Sequence, residues 1–388
     1  MFDPPSQANE RKESESDGFE SRAPAISLPK GGGAIRGIGE KFAANPVTGT
    51  GSMSVPIATS PGRSGFGPQL SLSYDSGAGN GPFGFGWSLS LPSITRKTDK
   101  GLPQYFDAQD SDVFILSGTE DLVLVFKKKT NGEWNLNEDG SHKIDEVTRD
   151  GYRVRRYRPR IEGLFARIER WTRDADGDVH WRSISKDNIL TLYGKDPNSR
   201  ITDPADPLRI FTWLICETRD DKGNAVLHEY KPEDDNGVGL DLTRPHERNR
   251  GDRNDSRRAT NRYLKHIRYG NRVPLLDSAG QRPRVLIVAQ IQNAGWMFEV
   301  VFDYEDHDLA IPMPRDDEER DAAGILKRPW TYRQDPFSTY RSELVKKSAA
   351  LRISQFGGAR NPHVFQYTFQ FLRSGEMRPP FARNDFFT

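Results

Sequence analysis

The sequence predicts a mainly β protein, a ribbon of antiparallel hairpins with few short helices. Three observations predict it. Apolar residues recur at every second position in many short runs, which places them on one face of a strand. Clusters of Gly, Asn and Asp, the residues that turns require, separate those runs. The 388 residues are only 35% hydrophobic, with a mean hydropathy of −0.75. That balance suits sheets with one wet face better than a thick closed core.

Taken in chain order, residues 1–24 are polar, charged and proline-containing, and read as a disordered leader. The five glycines of "GGGAIRGIGEKF" exclude a stable helix there. "GTGSMSVPIATS" alternates Met53, Val55 and Ile57; "PQLSLSYDSGAGNG" alternates Leu70, Leu72 and Tyr74 and then reaches a turn cluster. In "GPFGFGWSLSLPSITR", residues 81–96, the large apolar residues are all odd-numbered: Phe83, Phe85, Trp87, Leu89 and Leu91. Gly84, Gly86, Ser88 and Ser90 lie between them. A strand of this composition has one aromatic face and a back smooth enough for close approach. Phe83, Gly84, Phe85, Gly86, Trp87, Leu89 and Leu91 are therefore the candidate structural residues. Residues 65–96 read as a hairpin or two neighbouring strands joined near residues 75–82.

Further strands are expected in "SDVFILSGTEDLVLVF" (two, around Ser117–Glu120), "GYRVRRYRPR", "GLFARIERW" and "ILTLYG". "WTRDADGDVHW" places a turn at Asp176-Gly177. "IFTWLICETRDDKGNAVLHEYKP" is the clearest hairpin, turning near Lys222-Gly223-Asn224. Residues 232–262 read as a long polar loop. Strands resume at "RYLKHIRYG", "PRVLIVAQI" and "WMFEVVFDY"; short helices are expected in "RDDEERDAAGIL" and "YRSELVKKSAAL". The repetition of strand and acidic-Gly turn is loose and its spacing irregular, so no fixed-period array is predicted. A ribbon of this kind needs its open edges covered.

Charge is nearly balanced, 56 Lys and Arg against 55 Asp and Glu, so no global field draws the chain to nucleic acid or a membrane surface. The single cysteine, Cys216, excludes an internal disulfide and sits in an apolar run that suits a buried, inert thiol. The N-terminus lacks the apolar core of a secretory signal, and no apolar stretch is long enough for a membrane-spanning helix.

The motifs that resemble chemistry fail on context. "GGGAIRGIGEKF" lacks the Gly-Lys-Ser/Thr of a phosphate loop, and a strand rather than a helix follows Gly86. Asp174, Asp176 and Asp178 spell half a calcium loop between two Trp-bearing strands, where a hairpin turn is the simpler reading. The seven histidines show no paired ligand spacing. There is no Gly-x-Ser-x-Gly. The Arg runs at 153–160 and 244–262 are diluted by acids and lack interleaved aromatics, and Arg250-Gly251-Asp252 falls by chance in such a loop. Glu13-Ser14-Glu15 has the spelling of an ADP-ribosyltransferase motif but lies in the leader. No catalytic, cofactor or metal residues are assigned.

The block running from "LPKGGGAIRGIGEKF" through "GPFGFGWSLSLPSITRKTDKGLPQY" resembles the N-terminal domain shared by the SpvB virulence protein and the B components of insecticidal toxin complexes. "RYLKHIRYGNRVP" and "WTYRQDPFSTYRS" look like later signatures of those B components. The resemblance covers roughly residues 25–342, taken as one SpvB-like β domain. It implies a segment of an Rhs-like β shell that encloses a toxic partner. Residues 343–388 depart from the family pattern and read as a divergent tail, as a shortened or frameshifted frame would give. The expected function is a non-catalytic scaffold of a secreted toxin complex, made in the bacterial cytoplasm and exported without a standard signal peptide. The expected partners are an Rhs-type C component and, through downstream modules, an A-type channel component, with no nucleic acid and no direct membrane insertion. Two other readings stay open. One is the N-terminal part of an SpvB-type ADP-ribosyltransferase toxin. The other is a surface receptor- or carbohydrate-binding module, which would hold clustered aromatics exposed in a groove.

Overall fold

The structure, a computed structural model, describes residues 41–45, 49–99, 101–118, 120–161, 163, 165–233 and 260–303, with the shorter pieces 322, 331–332, 346–347, 350–357 and 365–370. The N-terminal strands are β1 (Lys41–Asn45), β2 (Thr50–Ile57), β3 (Leu70–Asp75), β4 (Asn80–Gly81), β5 (Gly84–Phe85), β6 (Trp87–Leu89) and β7 (Ser93–Arg96). Then come β8 (Phe114–Leu116), β9 (Glu120–Leu124), β10 (Glu146–Arg149), β11 (Tyr152–Pro159), β12 (Arg167–Arg173), β13 (Val179–Ile184), β14 (Leu190–Tyr193) and β15 (Arg200–Asp203). The long β16 (Asp206–Arg219) leads to β17 (Ala225–Pro232), β18 (Arg262–Asn271), the helix α1 (Val288–Gln292) and β19 (Trp296–Asp303). Last are β20 (Thr331–Tyr332), β21 (Lys346–Lys347), β22 (Ala350–Gly357) and β23 (Phe365–Gln370).

The predicted ribbon of hairpins closes on itself. One sheet runs β14-β13-β12-β11-β9-β8-β7-β16 and continues through β17-β18-β19-β22-β23. Because β14 also pairs with β16, its first eight strands form a barrel. Closure removes edges that an open ribbon would expose. The barrel interior follows strand alternation. Ile94 pairs with Leu116 on one side and Trp213 on the other. Arg170 pairs with Trp181, which pairs with Tyr193, which pairs with Ile215. Phe114, Tyr157, Ile168 and Val179 complete this core. Phe114 and Trp181 meet edge to face at 4.9 Å and Tyr157 and Trp181 at 4.8 Å. The Trp213 indole donates to the Val179 carbonyl (2.9 Å), so its one polar atom is satisfied inside.

A second core lies outside the barrel. The four-stranded sheet β1-β2-β3-β6 contributes Ile57, Leu70 and Leu72, which pack with Val226, Tyr263, Ile267, Tyr269, Val300 and Phe302 of the sheet extension β17-β18-β19. Two sheets, each apolar on one face, thus bury those faces against each other.

The predicted strands over 114–124, 152–173, 179–193 and 262–271 form, and the hairpin of β16 and β17 turns at Lys222-Gly223-Asn224. "PRVLIVAQI" is a correction: it holds no strand. Strand β19 occupies the edge of β18 directly, so this run has no edge to join. It folds instead into the short α1, with Leu286 buried among Ala225, Leu275 and Ala294 while Ile287 and Val288 face out. The helix expected in "YRSELVKKSAAL" is likewise corrected where it is described, because Lys346–Lys347 pairs with β20 and Ala350–Gly357 with β19. The leader at 1–24, the helix expected in "RDDEERDAAGIL" (apart from residue 322) and most of the polar loop (234–259) lie outside the described residues.

Between β9 and β10 the spacing is regular over a short stretch. Phe126, Trp134 and His142 recur every eight residues, and Asn131-Gly132 and Asp139-Gly140 turn the chain between them. Lys127 N–H donates to Lys143 O (2.8 Å), Lys143 N–H to Asn135 O (2.8 Å) and Asn135 N–H to Lys127 O (3.0 Å). This closed cycle of backbone bonds carries the three rings 5.1–6.5 Å apart.

Candidate functional site

The stretch 81–96 is the joint between the two cores. It is not one straight strand, and this corrects the single aromatic face expected for it. Gly84 (φ 105°) and Gly86 (φ 79°) adopt left-handed backbone, so the chain turns twice. Phe83 is buried in the sandwich core, but Phe85 is 63% exposed. Trp87 and Leu89, on β6, are half-buried and pair with Tyr74 and Leu72. Tyr74 and Trp87 meet at 5.3 Å. Gly86 does permit close approach, since a Cβ there would lie 2.6 Å from the Tyr74 ring and 2.8 Å from Asp75 O. Leu91 packs against both cores, and Ile94 then enters the barrel. Of the seven candidate residues, Phe83, Gly86, Trp87, Leu89 and Leu91 pack at this joint, Gly84 pairs with Gly81 where the chain turns into it, and Phe85 points away.

The polar clusters were not legible in sequence. At one end of the barrel, Arg96 is fully buried and donates to Asp107 (2.6 and 2.9 Å), Asp112 (2.7 Å) and Ile210 O (2.7 Å). Its guanidinium lies 4.6 Å from the Tyr105 ring, 5.1 Å from Phe114 and 5.4 Å from Trp213. Arg170, also buried, reaches the same Asp107 at 2.5 Å. Burial works to raise the Asp107 carboxyl. Hydrogen bonds from Arg96 and the charges of Arg170, Arg96 and Arg155 outweigh it and hold the carboxyl below the usual carboxylate range. These pairs pull the loop between β7 and β8 across the barrel end. A cleft of about 360 Å³ lies beside it, with Phe106, Leu208 and Arg170 in its lining. The only sequence signal was Arg96 at an inward strand position, which periodicity alone reads as a solvated end.

A second polar cluster covers the outer wall. Alternation puts Glu169, Trp171, His180 and Arg182 on the opposite side from Ile168, Arg170, Val179 and Trp181, yet all four are buried. Arg182 stacks 3.7 Å over Trp171 and donates Nε–H to His180 Nε2 (3.1 Å). The Trp171 indole donates to Glu169 (3.0 Å). Arg219 pairs with Glu217 and donates to the carbonyls of Pro283 (2.6 Å) and Arg284 (3.2 Å). The segment before α1 is thereby strapped over the wall. Burial and nearby cations, Arg182 first, hold His180 well below the ordinary histidine value, and burial lowers Arg182 to about 10. Cys216 packs with Leu190 and Leu192, and burial pushes its thiol up to about 12.

The weak motifs resolve as structure. Asp176 turns the β12–β13 hairpin and pairs with Arg173 (2.8 Å), while Asp178 engages Arg200. In the first Arg run, Arg155 and Arg156 pair with Glu146 and Asp145. Among the described residues, no three His, Cys, Asp or Glu side chains gather as a metal site. No helix of the described residues is long and apolar enough to cross a membrane. Arg96, Arg170 and Arg219 are engaged by carboxylates, and chemically these pairs hold the barrel, its end loop and the segment before α1 in fixed relation.

Comparison with known proteins places the chain in a family. The mono(ADP-ribosyl)transferase SpvB of Salmonella choleraesuis (strain SC-B67) is 34% identical over 328 residues, 84% of this chain and 49% of that protein. The chain thus spans about half the length of the curated relatives it matches. The solved N-terminal domain of the effector SpvB from Salmonella typhimurium strain LT2 superposes with a TM-score of 0.58 at 27% identity, covering 82% of this chain and all of that one. The crystal structure of TcdB2-TccC3 gives a TM-score of 0.61 at 27% identity, covering 88% of this chain and 15% of that one. The model of the family described as SpvB, Salmonella virulence plasmid 65kDa B protein, matches residues 45–348, and the chain belongs to that family.

Proposed function

We propose that this chain is a non-catalytic scaffold of a secreted bacterial toxin complex, part of a β shell that encloses and helps deliver a toxic partner. One observation carries the reading. The same fold recurs as the whole of a solved SpvB N-terminal domain and as 15% of the matched chain in the TcdB2-TccC3 structure. A module found both beside a transferase and inside a two-component toxin is best read as their common part. The proposed domain is residues 25–342, with 343–388 diverging from the family and containing β21, β22 and β23. The joint residues Phe83, Gly84, Gly86, Trp87, Leu89 and Leu91 have a structural role in this reading.

The proposed partner is an Rhs-type C component like TccC3, with an A-type channel reached through modules that lie elsewhere in such assemblies. Co-expression with TccC3 is the test: a co-purifying complex is expected, and complete separation on size exclusion overturns the assignment. The transferase reading is tested on the purified chain by NAD glycohydrolysis. No turnover above background is expected, and turnover overturns the non-catalytic reading.

A further inference from the structure

We infer that the Arg182–His180 hydrogen bond is an acid-labile fastener, which holds the outer wall of the barrel closed around Trp171 at neutral pH and releases it on acidification. The bond itself sets the protonation state. Arg182 Nε is always a donor, so His180 Nε2 must accept with a lone pair, and a neutral ring then carries its proton on Nδ1 (Arg182 Nε to His180 Nε2, 3.1 Å). Protonating Nε2 removes the acceptor and sets two cations against each other.

The carboxylates of Glu169 and Glu217 act on Arg182 only at a distance, without an ion pair to it. On its own strand His180 faces Arg182; β12 brings Trp171 (5.9 Å), Glu169 and Arg173, and β11 brings Tyr152 edge-on (5.5 Å). Lys195 follows β14, and Arg200 lies on β15. The carboxylates are engaged elsewhere: Glu169 by Arg167 and the Trp171 indole, Asp178 by Arg200, and Glu217 by Lys195 and Arg219. Among the described residues, none forms an ion pair with His180 or Arg182. The cover is also local. Arg284 sits 5.9 Å from the Trp171 ring and pairs with Asp150, at the turn that leads into Tyr152. When the wall opens, His180 gains water and its proton becomes favourable. Opening is then linked to the uptake of one proton, and its equilibrium constant rises about tenfold per pH unit below the ordinary histidine value.

The test is amide hydrogen exchange on the full chain between pH 7.5 and 5, corrected for the intrinsic rate. Peptides covering 150–153, 167–184 and 280–287 are expected to lose about tenfold in protection per pH unit, while β2 and β3 lose less. In His180→Gln, whose amide oxygen can accept from Arg182 without titrating, that slope is expected to vanish. His228→Gln, which removes another buried histidine, is expected to keep it. An unchanged slope in His180→Gln, or no slope in the parent chain, overturns the inference. Should the variant fail to fold, ¹⁵N spectra of the histidines in the parent chain decide. A neutral Nδ1–H tautomer at pH 7.5 is expected for His180, and an Nε2–H tautomer overturns the inference.

Discussion

Arg96 holds Asp107 through two hydrogen bonds, 2.6 and 2.9 Å, from a position with no exposed side-chain surface. The pair ties the inside of a barrel strand to the loop that crosses the barrel end. A charge this deeply placed is tolerated because two carboxylates, one carbonyl and three aromatic faces surround it. Removing one partner of a buried pair is costlier than the pair's own net worth. Arg96→Ala is expected to lower stability by about 3–5 kcal/mol in urea unfolding. Arg96→Lys should recover only a minor part, since an ammonium cannot reproduce the fork. A loss under ~1 kcal/mol for Arg96→Ala would show that the loop is held by other contacts.

Phe83 and Phe85 separate burial from sequence pattern. They share a parity and a residue type, but one is 8% exposed and the other 63%. Phe83→Ala is expected to cost about 3–4 kcal/mol and Phe85→Ala less than about 0.5 kcal/mol. Equal effects in thermal or urea melts would mean that the stretch is a regular strand.

Gly86 differs from glycines that merely turn the chain. Gly132 has a similar φ (88°) but open space where a Cβ would sit, whereas Gly86 has the Tyr74 ring and Asp75 O there. Gly132→Ala is expected to cost about 1 kcal/mol from backbone strain alone. Gly86→Ala should cost at least twice that, because Tyr74 must also leave Trp87. Tryptophan fluorescence would report that displacement.

His228 gives the chain an acid limit. Burial lowers its pKa from 6.5 to about 4. The folded state therefore rejects a proton that the unfolded state accepts. Stability is full above about 6.5, falls as the pH drops from there to about 4, and is flat in this contribution below that. The loss is on the order of 3 kcal/mol. His228→Gln is expected to flatten that part of the stability–pH curve. If the variant keeps the same slope, other groups carry the acid sensitivity.

Cys216 should be silent in the native protein. Burial pushes its thiol up to about 12, so almost no thiolate exists at neutral pH. Titration with a thiol-reactive disulfide is expected to release one equivalent only after denaturation. Rapid native labelling would place the residue at the surface.

The sequence by itself determined most of the strands, most of their turns and the family. Period-two runs such as Leu70-Ser71-Leu72 and Asp-Gly turns such as Asp176-Gly177 are local signals, set by alternation and by backbone conformations that few residues adopt. The tertiary structure alone decided which edges met. The β14–β16 closure joins residues 190–193 to 215–219 across a turn and a strand, and Arg96 reaches Asp107 only because the loop doubles back. It also decided the fate of "PRVLIVAQI", whose strand propensity lost to the direct pairing of β18 with β19, and of Phe85, which two left-handed glycines swung away from the core. Which edge a strand meets, and what lies beneath a buried charge, depends on segments far apart in the chain, and no local pattern encodes that distance.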